Sequence, residues 1–249
     1  MVSLKIVEES NSRLAKAGEG LVAVFLGATS GIGKATLREF VLHANKPRVY
    51  IVARNASTIT AQVDDLRQAN PGGQFEVIEK NVSLIADANA VAATILARES
   101  KVDLLFLSVG FFSLDGRQGY TIEGLEASMT TRYYSRIRIT QLLLPLLNAA
   151  PQARVVSVLA GGREARINEN DFALSEPRSF GVTAGNNHVT TMMTLSLEHL
   201  AFENPRVSFV HTFPGGESAD NEKFLRELRE RKVGDAVWSH TQEVFARIK

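Results

Sequence analysis

Cysteine is absent from this 249-residue chain, which excludes disulfide stapling, thiolate catalysis and zinc–thiolate sites. An excess of charge of either sign is also missing. With 28 Lys and Arg against 27 Asp and Glu, the formal net charge is +1, so neither nucleic acid nor an anionic membrane surface is favoured as a partner. No apolar run reaches membrane-spanning length without a charge in it. The first twenty residues mix Lys5, Glu8, Glu9, Arg13 and Lys16 with scattered apolar side chains, and no signal-peptide core is visible. These absences predict a soluble cytoplasmic protein with a small-molecule partner, no nucleic acid, no membrane and no metal. One further gap bears on chemistry: residues 160–200 contain neither Tyr nor Lys.

What is present is an alternation of short β-branched runs with longer helical patterns, the signature of a parallel sheet covered on both faces. Strands are predicted over 21–27, 48–53, 75–80, 102–109, 154–159 and 206–212, and helices over 31–44, 58–69, 84–99, 121–148 and 183–203. Pro47 and the Pro71-Gly72-Gly73 run punctuate the returns from helix to strand. The fold class expected is therefore α/β, a doubly wound parallel sheet in a single domain over 1–249. Residues 1–20 read as a poorly patterned arm, and 213–249 as a substrate loop followed by two helical segments.

The sharpest motif is Gly27-Ala28-Thr29-Ser30-Gly31-Ile32-Gly33, between the first strand and the first long helix. Glycine lets the backbone approach a pyrophosphate, and the free N–H groups of a helix start face the anion. Alone such a motif is a weak signal; strand before and helix after make it a dinucleotide site. Thr29 and Ser30 add hydroxyl donors. The second strand ends in Arg54-Asn55 rather than in an acid. An acid there would accept from the ribose 2′-hydroxyl of NAD, whereas an arginine pairs with the 2′-phosphate of NADP. The expected cofactor is NADP(H); the bland alternative for Arg54 is a solvated loop residue.

These residues resemble the short-chain dehydrogenase/reductase family over about 20–215, through the glycine loop, the Arg-Asn after strand two and a Phe213-Pro214-Gly215 turn after strand six. The resemblance implies a Rossmann-type sheet. It places Asn81-Val82 against adenine, Ser108 and Gly110 in the loop after strand four beside the cofactor, and Pro214 and Gly215 in the turn that closes over it. It also implies a Tyr–Lys pair helped by Ser and Asn, because hydride reaching a carbonyl carbon leaves an alkoxide to be protonated. Here those four positions fall on Thr183, Asn187, Ala160 and Arg132. In the loop after Gly215, Ser218 is the hydroxyl on offer to a nicotinamide carboxamide.

Phrases such as Thr121-Ile122-Glu123-Gly124-Leu125-Glu126 and Arg132-Tyr133-Tyr134-Ser135-Arg136 resemble a fungal secondary-metabolism branch that lacks this tetrad. That branch includes bifunctional reductase/Diels–Alderases of indole alkaloid pathways. In that resemblance the working residues are Arg132 and Asp171. An imine or iminium of a bulky, alkaloid-like substrate can be reduced without the Tyr–Lys pair, and a shaped pocket can speed a cycloaddition by orientation. Two alternatives stay open: a non-redox cyclase or isomerase with NADP as a structural element, and an inactive nucleotide-binding module. Bland readings stand beside the site residues. Arg132, Arg136 and Arg138 read as a solvated or subunit-contact face, Asp171 as a turn cap, His188 as a packed helix residue, and Glu164 with Arg163 as a local pair. The long 121–148 helix resembles the one that pairs subunits in the family, which leaves a homo-oligomer open.

Overall fold

The computed structural model describes residues 3–111, 119–175, 182–213 and 221–248, with 182–184 described by backbone alone. Six parallel strands, β1 Val22–Leu26, β2 Arg48–Ala53, β3 Gln74–Glu79, β4 Leu104–Leu107, β5 Arg154–Val158 and β6 Ser208–Thr212, run in the order β3-β2-β1-β4-β5-β6. The described α-helices are α1 Leu4–Ser12, α2 Gly31–His43, α3 Thr60–Ala69, α4 Ile85–Leu96, α5 Ala127–Met129, α6 Ser135–Ala149, α7 Val182–Glu203, α8 Glu222–Glu230 and α9 Val233–Arg247. The result is the doubly wound single-domain sheet that the alternating pattern predicts. The central strand shows why. Every residue of β1 is buried, Val22, Val24 and Leu26 among the side chains of α4 and α6, and Ala23 and Phe25 among those of α2 and α3. A strand covered on both faces must be apolar throughout rather than alternating.

Several boundaries differ from the sequence reading, each for a local reason. The 121–148 helix begins only at Ala127. Residues 121–125 close a turn, with the Gly124 N–H donating to the Thr121 carbonyl and Gly124 at φ +75°. The Glu126 carboxylate then caps the helix start, accepting from Ser128 and Met129 N–H. Glu123 does the same for α4, accepting from Ile85 and Ala86 N–H at 2.7 and 2.8 Å. Strand β4 is shorter than predicted, since Asp103 turns its carboxylate to the Val22 N–H at 2.8 Å. The arm at 1–20 carries helix α1, none of whose residues is buried.

Between α5 and α6, Thr130–Tyr134 widens into a π-turn with all five residues buried. The arginines here do not form a solvated or subunit-contact face. Arg136 is 1% exposed and Arg132 7%. Arg138 donates to Asn89 and lies 5.1 Å from the Phe245 ring. Helix α9 of the same chain packs on this flank: the Tyr133 hydroxyl bonds both Ser196 of α7 and Thr241 of α9 at 2.7 Å, and Gln141 donates to Gln242. This flank of the 121–148 segment is thus covered by α7 and α9 of the same chain.

Arg136 is the principal buried cation. Its Nη1 donates to the Leu107 carbonyl (3.2 Å), the Ser157 hydroxyl (2.9 Å) and the Val158 carbonyl (2.9 Å), while Nε and Nη2 both reach the Val109 carbonyl. It fastens the C-terminal ends of β4 and β5 together. Burial, then the charge of Arg132, lowers its pKa to about 9, so it stays protonated at neutral pH. The segment after β5 is fastened in another way, along a polar ridge of α7. Thr191 accepts from the Ala165 N–H and donates to the Ala165 carbonyl. His188 Nδ1 accepts from the Asn168 N–H at 3.1 Å, so Nε2 carries the proton and donates to the Phe172 carbonyl at 3.0 Å. His188 is a packed clamp with a fixed tautomer.

Two outcomes are expected. Replacing Arg136 by Leu leaves buried carbonyls and a hydroxyl without their donor, and should cost on the order of 3–5 kcal/mol in urea unfolding. Arg136→Lys should cost less, and a loss below about 1 kcal/mol for the leucine variant would refute the stapling role. Burial also lowers the pKa of His188, His211 and His240, that of His211 to about 4. The unfolded chain therefore takes up these protons first, and stability present above pH 6.5 is lost as pH falls towards 4. Melting temperature should drop across that window. A profile for His188→Gln as steep as that of wild type would remove His188 from the account.

Candidate cofactor and active-site cleft

A cleft of about 490 Å³ opens at the C-terminal ends of β1, β2, β4 and β5. It lies where strand order reverses between β1 and β4, the place where open α/β sheets bind ligands. Its walls include Gly27, Thr29, Ser30, Gly31, Ile32, Gly33, Arg54, Asn81, Val82, Ser108 and Gly110.

The glycine loop is shaped by close backbone contact. Gly27 sits at φ +92°, and a Cβ there would lie 2.3 Å from the Val109 nitrogen. A Cβ on Gly33 would lie 2.3 Å from the Gly27 carbonyl oxygen and 2.5 Å from Ser108 Oγ. Ser108 donates its hydroxyl to the Gly27 carbonyl at 3.1 Å and its N–H to the Leu26 carbonyl at 2.8 Å, which locks the loop after β4 against the glycine loop. Ser30 is the N-cap of α2, and its side chain makes no capping bond. The first-turn N–H groups of α2 and two nearby hydroxyls thus face the cleft at a helix start, a donor set suited to a pyrophosphate.

At the far end, exposed Arg54 follows β2 and lines the cleft. Asn55 does not line it. Its side-chain oxygen accepts from the Ser57 N–H and hydroxyl at 2.9 and 2.7 Å and caps the 3₁₀ turn Ala56–Ile59. Asn81 likewise receives Ser83, yet still borders the cleft beside buried Val82. Lys80, absent from the sequence reading, also lines this end, with its ammonium 3.1 Å from Asp87. A lone lysine after a strand carries no motif to mark it.

The opposite, reacting end is walled by Gly110, Phe111, Ala127, Thr131 and Val158. The Arg132 side chain runs past Gly110, its Cγ 3.0 Å from where a Cβ would stand, and its guanidinium donates to the Asn186 side-chain oxygen. Burial lowers its pKa to about 10, Glu126 opposing. Two buried guanidiniums therefore back this end. Asn187 lies half-buried on α7, Ala160 is buried after β5, and the Thr183 side chain lies outside the described residues. Asp171 is in another neighbourhood. Its Oδ1 accepts from the Ser175 N–H and hydroxyl at 3.0 and 2.8 Å, and its charge acts on Tyr134, His188 and His240. Pro214, Gly215 and Ser218 lie outside the described residues. Glu164 does not pair with Arg163, whose guanidinium sits 5.5 Å from the Phe213 ring. Among the described residues no group of three His, Asp or Glu could hold a metal, and no helix is long and apolar enough to cross a membrane.

A family model described as short chain dehydrogenase matches residues 21–168. An NmrA-like family domain-containing oxidoreductase, notO, of Aspergillus sp. (strain MF297-2) is 37% identical over 99% of this chain and 96% of its own length. Oxidoreductase AN1596 of Emericella nidulans is 43% identical over 86% of this chain and 63% of its own. Short-chain dehydrogenase/reductase SAT2 of Stachybotrys chartarum is 34% identical over 86% and 65%. The chain thus spans less than two thirds of the length of the last two. Among solved structures, a metagenomic short-chain oxidoreductase in complex with NADP aligns with a TM-score of 0.62 at 21% identity, over 85% of this chain and 91% of that one. L-sorbose reductase from Gluconobacter frateurii, complexed with NADPH and L-sorbose, aligns at 0.61 and 18% identity, over 88% and 78%. At such identities the structures speak for the shared fold, while the family model and the fungal relatives carry the membership: this chain belongs to the short-chain dehydrogenase family.

Proposed function

We propose that the protein is an NADP(H)-dependent reductase of secondary metabolism acting on the C=N group of a bulky, alkaloid-like substrate. The observation that carries the cofactor half is the junction of the glycine cradle with Arg54 in one cleft. Gly27, Gly33 and the first turn of α2 would hold the pyrophosphate, Arg54 the 2′-phosphate, and Asn81 with Val82 would flank the adenine. Bound there, the reduced cofactor supplies a hydride.

The substrate half rests on what stands at the reacting end. Thr183 and Asn187 occupy the positions of the Tyr–Lys pair, so a ketone would lack its usual acid. Arg132 and Arg136 back this end with two positive charges. That field disfavours a cationic iminium and suits a neutral imine, whose nitrogen gathers negative charge as its carbon is reduced. Arg132, which runs behind Gly110 and is held by Asn186, would be the donor to that nitrogen. The same absence of Tyr and Lys supports a second reading, in which NADP is structural and the pocket only orients a substrate for cyclisation, a Diels–Alder addition included. Consumption of NADPH with a cyclic imine, or its absence during product formation, separates the two.

Binding is tested first by calorimetry. Arg54→Ala should weaken NADPH by roughly 10–100-fold and leave NADH nearly unchanged, as expected for one charge-assisted contact to a phosphate. Gly33→Ala should abolish binding of both. Equal loss of both nucleotides in Arg54→Ala would sink the 2′-phosphate assignment. For turnover, Arg132→Met should lower kcat by about 10²–10³-fold with the NADPH affinity retained, and unchanged kcat would take Arg132 out of the chemistry.

A further inference from the structure

A buried carboxylate stands in the segment that follows β5, outside the lining of the cleft. Glu164 follows β5, and its side chain is 4% exposed. Both its oxygens accept from the Gly162 N–H, at 3.1 and 3.0 Å. One oxygen accepts the Thr194 hydroxyl of α7 at 2.6 Å, and the other the Asn221 amide, at the N-cap of α8, at 3.1 Å. Because the Thr194 proton goes to the carboxylate, its oxygen is left to accept from His211 Nδ1–H of β6 at 2.8 Å. His211 in turn is the register partner of Ser157, whose hydroxyl takes Arg136. One carboxylate thus joins the turn after β5, α7, β6 and the start of α8.

Burial opposes its charge, but the hydrogen bonds from Thr194, Asn221 and the backbone outweigh that and hold its pKa below the ordinary carboxylate range. Among the described residues a neutral histidine 3.9 Å away and neutral donors surround it, an arrangement that costs desolvation without the return of a full ion pair from them. The location gives such a group a use. Val158, the last residue of β5, walls the cleft, and its register partner Thr212 ends β6. The segment that leaves β5 carries Glu164, which ties it to Asn221 at the start of α8.

We propose that Glu164 is a positioning residue: it fixes the segment after β5 and the start of α8 in register with α7, and so sets the substrate-side wall of the cleft without touching cofactor. Its bearing on substrate rests on the reductase reading; its bearing on the wall does not. Hydrogen exchange by mass spectrometry on the full chain, with NADPH titration alongside, tests it. In Glu164→Gln one acceptor becomes a donor that opposes Asn221. Exchange should rise on the order of tenfold at 162–171 and 221–230, while β1 to β4 and the NADPH affinity keep wild-type values. The double variant Glu164→Gln/Asn221→Asp restores the pairing, with the glutamine amide donating to the new carboxylate, and should return both segments to wild-type exchange. With an imine substrate in hand, Glu164→Gln should raise KM at least as much as it lowers kcat, and the double variant should reverse this.

Asn221→Ala, which removes one partly buried donor, covers the case in which Glu164→Gln does not fold; it should raise exchange at 221–230. A uniform rise across the sheet, no rise at either segment, failure of the double variant to rescue, or loss of NADPH binding with Glu164→Gln would each overturn the assignment. If wild type binds no NADPH, the reductase reading falls by itself, and the exchange pattern still decides the role of Glu164.

Discussion

The hydrogen-bond fan of Arg136 sets the geometry on which the cleft depends. By holding the carbonyls of Leu107, Val109 and Val158, one guanidinium fixes how far β4 and β5 separate at their C-terminal ends. Val109 held in that way lies close against Gly27, the Gly27 carbonyl lies close against Gly33, and Gly33 stands in the first turn of α2 at the cleft. Interiors this closely packed do not deform continuously, so a shift at the guanidinium reaches the glycine cradle through two backbone contacts, Val109 to Gly27 and Gly27 to Gly33. The cation is expensive to bury, yet carbonyl dipoles from two strands take the place of water around it.

The same side chain shapes the chemistry available. Tyr and Lys, when present in this fold, deliver a proton to a forming alkoxide. Here the reacting end is instead backed by two guanidiniums that hold their protons at neutral pH, since values of about 9 and 10 lie well above it. Such groups stabilise charge by hydrogen bonding and field rather than by proton transfer, which shifts the demand onto the substrate.

The sheet was legible in the sequence because burial on both faces leaves an apolar run with no alternation, as in Val22–Leu26. The glycine loop at the cleft was legible because three glycines at fixed spacing answer a purely local need for close approach. The reacting end was not, since it is assembled from far-separated segments. Nothing in Thr130–Tyr134 announces a π-turn, and Arg132, Arg136 and Arg138 read as a wet face because α9, which covers that flank, lies about a hundred residues downstream in the chain. Asn55 misleads for the opposite reason: a cap for its own turn competes locally with a ligand role. Glu123 and Glu126 show how two acids three residues apart serve two different helices, a division that no spacing rule foretells.

Helix α9 also sets an order of events during synthesis. Tyr133, Tyr134 and Phe245 pack together on the flank between α6, α7 and the C-terminus. Until α9 has left the ribosome, the apolar side chains of α6 and α7 that it covers lack that partner, although the six strands are all made. The growing chain thus carries an open hydrophobic face from the synthesis of Thr212 until α9 arrives, an interval of exposure to misassembly.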